Sequence, residues 1–255
     1  MYKQVPIKFN IVIPCYNEQE KIKLVVNSFL PLKNLQTIIV VDDSSTDGSA
    51  TIVKGLSNKN IILLKNKKNR GAGYSIIKGL KHSYFLKNSD YTVIADADGQ
   101  HSKSDIQKIL NPLKNSKRNT LITYAVRNRK LSSTPISKYI VAFCVRFSMF
   151  VLFGYQIKDP FCGLRCFSNE LLKGIKFSEG FDWSIDCTAL ISELKHNAVS
   201  VQVPARFSDY SLKKGQSMFG GIRLFVKIIN TRIIKSSGQQ TRKKTSIAYP
   251  SPALP

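Results

Sequence analysis

Asp96 and Asp98, one small residue apart in the run Val93-Ile94-Ala95-Asp96-Ala97-Asp98-Gly99-Gln100-His101, have the types and spacing to hold a metal ion. A β-rich apolar run rises to the two acids and breaks at Gly99, so a strand presents them at its carboxyl end. That is the edge where open α/β sheets bind ligands. Two carboxylates held there suit a hard divalent cation, which keeps its other positions for water and substrate phosphate. The functional reading is a metal–diphosphate site. The competing reading is a solvated acidic turn, because Asp-x-Asp spacing is common by chance.

The elements that must position this pair are legible upstream. Phe9 to Pro14 is an apolar run stopped by proline and reads as a buried strand, and helical spacing in Ile22, Val25, Val26 and Phe29 follows over Glu18 to Leu30. Leu35 to Val41 is a second strand that also ends in acids, Asp42-Asp43-Ser44-Ser45-Thr46-Asp47-Gly48. Part of that run is ordinary helix capping. Capping does not require two adjacent acids, and Asp43 can accept a hydrogen bond from a nucleobase or ribose. A third strand, Ile61 to Leu64, leads through a basic segment to Gly71-Ala72-Gly73 and a helix over Tyr74 to Lys87. These glycines fit either a helix-entry turn or a phosphate loop. Tyr91 to Ala95 supplies the strand that carries Asp96. Strands alternating with helices of crossover length predict a Rossmann-like, mostly parallel α/β sheet flanked by helices, with its site at the strand carboxyl ends.

A chain of 255 residues, 43% hydrophobic, can bury a sizeable core. Its five cysteines are scattered without CxxC spacing, which points to free thiols in a reducing compartment. The amino terminus has no signal-peptide apolar core, and the expected location is cytoplasmic. The net charge of +23 asks for a polyanionic partner, and an Asn/Lys/Ile-rich coding bias is the other source of so many lysines. Acids are absent from Ile106 to Lys158 and from Tyr210 onward, whereas Asp42, Asp43, Asp47, Asp96 and Asp98 gather around the proposed site. No recognition motif or aromatic–basic alternation supports nucleic-acid binding.

Ile13-Pro14-Cys15-Tyr16-Asn17-Glu18, Val40-Val41-Asp42-Asp43-Ser44-Ser45-Thr46-Asp47-Gly48, Asn69-Arg70-Gly71 and Asp96 to His101, in that order, resemble the motifs of family 2 glycosyltransferases with the GT-A fold. Within that family the chain is most similar to dolichyl-phosphate mannosyltransferases and bacterial polyprenyl-phosphate glycosyltransferases, over about residues 8–218. The resemblance implies metal-dependent, inverting transfer of a sugar from a nucleotide sugar of the GDP-mannose or UDP-glucose type. It implies a polyprenyl phosphate as acceptor, with a soluble or cell-surface glycan, or a catalytically silent binding module, as alternatives. Pro14, Tyr16, Glu18, Val41 and Asp43 match positions that hold the nucleoside. Asp96, Ala97, Asp98 and Gln100 match the diphosphate motif, in which Asp96, Asp98 and Gln100 would hold Mg²⁺ or Mn²⁺, and Arg127 matches an arginine that meets the donor phosphates.

In the second half, Asp159-Pro160-Phe161-Cys162-Gly163-Leu164-Arg165 resembles the family's Asp-x-x-x-Gly-x-Arg segment. Asp159 then orients or deprotonates an acceptor, and Arg165 is either a phosphate contact or a structural ion-pair partner. Asp186 lies where relatives carry a helical acid, usually Glu, that faces the acceptor; it joins Asp98, Arg127 and Asp159 as a candidate catalytic residue. Relatives show Arg-x-x-Gly-x-Ser-Lys in a loop that closes over the diphosphate, where this chain has Leu212 and Met218 at the basic positions. Lys213 and Lys214 are the candidates to supply that charge, without an arginine's bidentate fork. Ser137 to Gly154, rich in aromatics, and amphipathic Gly220 to Lys235 fit either an anionic membrane surface or packing against protein. The former is shorter than the ~20 apolar residues a bilayer span needs. One GT-A domain is expected over residues 1–235, with a nucleotide-binding half about 8–105, an acceptor half about 106–235, and a disordered basic tail over 236–255.

Overall fold

The computed structural model describes residues 6–114, 120–128, 162–173 and 197–205, together with positions 143, 146, 147, 150, 151, 154, 158, 159, 187, 190, 191 and 194. The described residues fall in one compact unit, Met1–Gly215. The expected domain limit at 235, the tail and the helix over Gly220 to Lys235 lie outside them.

The strand β1 (Phe9–Cys15) is followed by α1 (Ile22–Phe29), β2 (Leu35–Asp42), α2 (Ser49–Gly55), β3 (Ile61–Lys65), α3 (Ala72–Leu86), β4 (Tyr91–Ile94) and α4 (Lys103–Leu110). A 3₁₀ turn, Asn111–Lys114, leads toward β5 (Ile122–Asn128), and β6 (Arg165–Ser168), the short helix α5 (Asn169–Leu172) and β7 (Ala198–Pro204) complete the order. The strands form one sheet ordered β3-β2-β1-β4-β6-β5-β7. Neighbours from β3 to β4 are parallel, β5 and β7 are parallel, and β6 runs antiparallel to both β4 and β5. The sheet is therefore mostly parallel, as expected, with one reversed strand that the apolar patterning did not mark.

Alternation within the strands assigns their two faces. Ile11, Ile13, Ile38 and Val40 pack with Ile22, Val25, Val26 and Phe29 of α1 and with Ile106 and Ile109 of α4. Val12, Ile39 and Val41 point the other way, with Ile62, Leu64 and Leu86. Both faces are covered, so these strands read as continuous apolar runs. Gly79 of α3 is what allows its close seat, since a Cβ there would collide with the Val12 side chain.

Candidate active site

Parallel pairing puts the carboxyl ends of β1, β2, β3 and β4 on one edge. Cys15 pairs with Asp42, and Asp42 with Lys65, so the loops that follow start side by side. The first two interlock. Asn17 N–H donates to Ser45 Oγ at 3.1 Å, Glu18 N–H to Ser49 Oγ at 2.8 Å and Gln19 N–H to Asp47 Oδ2 at 3.1 Å. In return Thr46 N–H donates to Asn17 Oδ1 at 2.8 Å and Gly48 N–H to Gln19 Oε1 at 2.9 Å. Asn17 and Ser44 take left-handed φ values of 53° and 63° at the turns. Burial alone would push the Asp47 carboxyl up, but the donors from Ser49 and Gln19 hold it below the usual value.

Asp43 is buried beneath the third loop and organises it. Its Oδ1 accepts from Asn66 Nδ2 at 2.7 Å and Arg70 N–H at 3.0 Å, and its Oδ2 accepts from Gly71 N–H at 2.7 Å. Gly71 sits at φ 88°, ψ 162°, a conformation only glycine adopts without strain, so its N–H can turn to the carboxylate. Asn66 also donates to Ser75 Oγ at 3.0 Å and accepts from Lys78 Nζ at 3.0 Å, which fixes the amide. Arg70 lies over the Tyr74 ring, 3.7 Å from its centroid. The side chain of Val41 is fully buried on the α3 face, whereas Tyr16 is exposed at the edge.

Asp96 and Asp98 follow β4 on the same edge. Gln100 N–H donates to Asp98 Oδ1 at 3.0 Å and Gln100 Nε2 to Oδ2 at 2.6 Å, so Gln100 grips Asp98 from its own turn. Gly99, at φ 81°, makes that turn possible. His101 is buried with its Nε2 3.1 Å from Asp96 Oδ2, while the Asp96 side chain stays 38% exposed and open to a ligand. Partial desolvation by the surrounding protein opposes ionisation of Asp96, but the His101 hydrogen bond and the charges of His101, Arg127 and Arg165 hold its carboxyl below the usual value. Burial and the neighbouring Asp96 charge push Asp98 up, against the two Gln100 donors. Two hard oxygen donors that repel one another fit a divalent cation, which relieves the repulsion. Among the described residues no three His, Cys, Asp or Glu side chains gather to hold a metal.

The reversed direction of β6 brings the Asp159–Arg165 segment in from this edge, because Arg165 pairs with Ile94 at the end of β4. Asp159 and Arg127 meet each other there. Arg127 donates from Nε to Asp159 Oδ2 at 2.7 Å and from Nη2 to Oδ1 at 2.9 Å, and its backbone N–H reaches Oδ2 at 3.2 Å. The carboxylate raises the Arg127 pKa further despite burial of the guanidinium. Arg165 is buried and donates from Nε to Cys162 O at 3.3 Å. Asp186, Leu212, Lys213, Lys214 and Met218 lie outside the described residues.

Residues 10–175 match the Glycosyl transferase family 2 domain. The chain belongs to this family. Over 243 residues, 88% of this chain and 96% of the other, the glycosyltransferase is 30% identical to the UDP-N-acetylglucosamine–dolichyl-phosphate N-acetylglucosaminyltransferase of Methanococcus voltae. It is 26% identical to the dolichol-phosphate mannosyltransferase of Pyrococcus furiosus, covering 91% of this chain and 68% of the other. Among solved structures, mannosyl-3-phosphoglycerate synthase from Rubrobacter xylanophilus superposes with a TM-score of 0.70 at 15% identity, over 98% of this chain and 79% of that one. Glucosyl-3-phosphoglycerate synthase from Mycobacterium tuberculosis, solved with Mn²⁺, UDP-glucose and phosphoglyceric acid, gives 0.69 at 16%, over 91% and 80%. These likenesses show the GT-A fold.

Three residues at this edge have no role assigned from the sequence: Asn66, His101 and Gly163. Asn66 gave no signal, since a buried amide looks like any loop asparagine in a basic stretch. His101 and Gly163 stand inside recognisable motifs, but spacing does not say which side chain each would touch, whereas Gly71 is the helix-entry turn that was one of its two expected roles.

Proposed function

We propose that this glycosyltransferase moves a sugar, with inversion, from a nucleotide sugar to a polyprenyl phosphate, using a divalent cation held by Asp96 and Asp98. The observation that carries the metal reading is the accessible Asp96 carboxylate beside Asp98, two mutually repelling acids at a strand end. Mn²⁺ and UDP-glucose in the Mycobacterium tuberculosis neighbour support it. Bound there, Mg²⁺ or Mn²⁺ would neutralise charge gathering on the departing nucleoside diphosphate. Gln100 holds Asp98 in place, and the interlocked loops with Tyr16 and Glu18 form the nucleoside seat, under which Asp43 holds the third loop. Arg127 adds positive charge near Asp96 while its fork stays on Asp159.

The acceptor reading rests on the names of the relatives and on Asp159. A phosphate oxyanion is already nucleophilic at neutral pH, whereas a hydroxyl needs a base. Both oxygens of Asp159 accept from Arg127, a poor arrangement for proton abstraction. That favours the phosphate. A membrane location fits such an acceptor. The helical residues Phe143, Phe147, Phe150 and Val151 are each 50% to 67% exposed, and Phe143 stacks on Phe147 with centroids 6.3 Å apart. Among the described residues no helix is long and apolar enough to cross a membrane, so attachment through this face would be peripheral.

The test is transfer from UDP-N-acetylglucosamine, UDP-glucose and GDP-mannose to a polyprenyl phosphate in detergent, with Mn²⁺, with Mg²⁺ and with EDTA, for wild type and Asp98→Ala. Product in wild type with metal alone, and none from Asp98→Ala, is expected. Transfer in EDTA overturns the metal assignment, transfer to free glycans alone overturns the acceptor, and donor binding without any turnover favours a silent module.

A further inference from the structure

We propose that Gly163 and His101 are positioning residues that clamp the Asp96 carboxylate from two sides and aim it at the cation. The clamp rests on the metal reading above. A Cβ built on Gly163 would lie 2.5 Å from both Asp96 Oδ1 and Oδ2 and 2.8 Å from Cγ, so the carboxylate packs directly on the glycine backbone. Gly163 does not take a left-handed φ, unlike Gly71, Gly99 and Gly154. Space, not backbone conformation, is what demands glycine here. On the other contact, His101 Nε2 meets Asp96 Oδ2 at 3.1 Å.

Both jaws are anchored. Asp159 is fixed on Arg127, Leu164 O accepts from Ala125 N–H at 3.0 Å, and Arg165 enters β6, so the backbone that carries Gly163 is tied at each end. His101 precedes the Ser102 N-cap of α4, where Ser102 and Asp105 form a reciprocal capping box. The Asp-x-x-x-Gly-x-Arg segment thereby acts on the metal through Asp96: its aspartate anchors, its glycine makes room, and its arginine secures the exit. Side chains that orient a metal ligand typically change metal affinity or activity about 10- to 100-fold when altered.

The experiment titrates Mn²⁺ into full-length wild type, Gly163→Ala, His101→Leu and the control Gly55→Ala, followed by electron paramagnetic resonance at saturating UDP. Metal-free UDP binding is measured separately by calorimetry. Gly55 has open space around its Cβ position. Expected is Mn²⁺ affinity about 10- to 100-fold weaker in Gly163→Ala and His101→Leu, with metal-free UDP binding unchanged and turnover restored by raised Mn²⁺. Should Gly163→Ala fail to fold, His101→Leu decides. Wild-type Mn²⁺ affinity in the variants, or a parallel loss of metal-free UDP binding, overturns the clamp while leaving the metal reading in place. A wild type that binds no Mn²⁺ overturns both.

Discussion

Asp159 and Arg127 show how a residue's neighbours redefine its chemistry. Each is largely buried, and their two-point pairing satisfies a charge that would otherwise be stranded. Removing one partner of such a pair costs about 3–5 kcal/mol, whereas apolar replacement of both is close to neutral. Asp159→Ala is therefore expected to lower the thermal midpoint sharply, and Arg127→Met with Asp159→Leu to recover most of that loss. An unchanged midpoint with abolished turnover would instead return Asp159 to the role of a base. The buried thiols give a pH signature. Burial pushes Cys162 up from 9.0 to about 11 and Cys15 to about 12. Their folded values lie above the unfolded one, so their stabilising contribution is complete below pH 9.0 and is lost as pH rises through about 11 and then 12. Urea midpoints should fall between pH 8 and pH 10.5, less so in Cys162→Ala. Iodoacetamide at pH 8 should leave both thiols unmodified until the chain unfolds.

Elements are held here by close backbone approach as much as by apolar area. Helix α3 seats Gly79 against Val12 and Val41, while Gly55 at the end of α2 faces nothing within 4 Å. Gly79→Ala should destabilise the fold by about 1–3 kcal/mol through overpacking. Gly55→Ala should stabilise it by about 0.4–1 kcal/mol by restricting the unfolded chain. Chemical denaturation of the two variants reads both signs, and equal effects would refute the packing difference. At the opposite end of the strands, Asn10 donates to Ser83 Oγ and Asn88 Oδ1, each at 2.9 Å, and Ser83 Oγ lies 2.6 Å from Thr92 Oγ1. Thr92 continues to Asn169 Oδ1 at 2.8 Å. This buried network ties β1, α3, β4 and α5 together at the end of the sheet away from the carboxyl edge.

For the whole molecule, charge and exposed aromatics combine. On the proposed membrane attachment, the net charge of +23 would favour an anionic surface, near which basic residues contribute about 1 kcal/mol each. Phe143 and Phe147 are largely exposed and join none of the buried clusters among the described residues. Phe143→Glu/Phe147→Glu is expected to leave stability within about 0.5 kcal/mol per site while reducing sedimentation with phosphatidylglycerol liposomes. Wild type should bind more strongly at low than at high salt, with a salt-resistant remainder from apolar insertion. Wild type that ignores these liposomes at low salt would sink the membrane reading.

Local chemistry alone determined the strand–helix alternation over the first hundred residues, the carboxyl-edge location of Asp43, Asp96 and Asp98, and the breaks at Gly71 and Gly99. Apolar runs, periodicity and turn glycines are local properties, and parallel pairing then forces successive strand ends to one edge. The reversed strand β6 was not legible, because Arg165 to Ser168 is short and its direction depends on where β4 and β5 already stand. Tertiary structure alone also decided what the polar residues do. Arg127 turns to Asp159, Asn66 to Asp43, and Gly163 supplies the space in which Asp96 sits. Each of these depends on segments 23 to 67 positions apart meeting at one sheet edge, a juxtaposition that spacing along the chain does not encode.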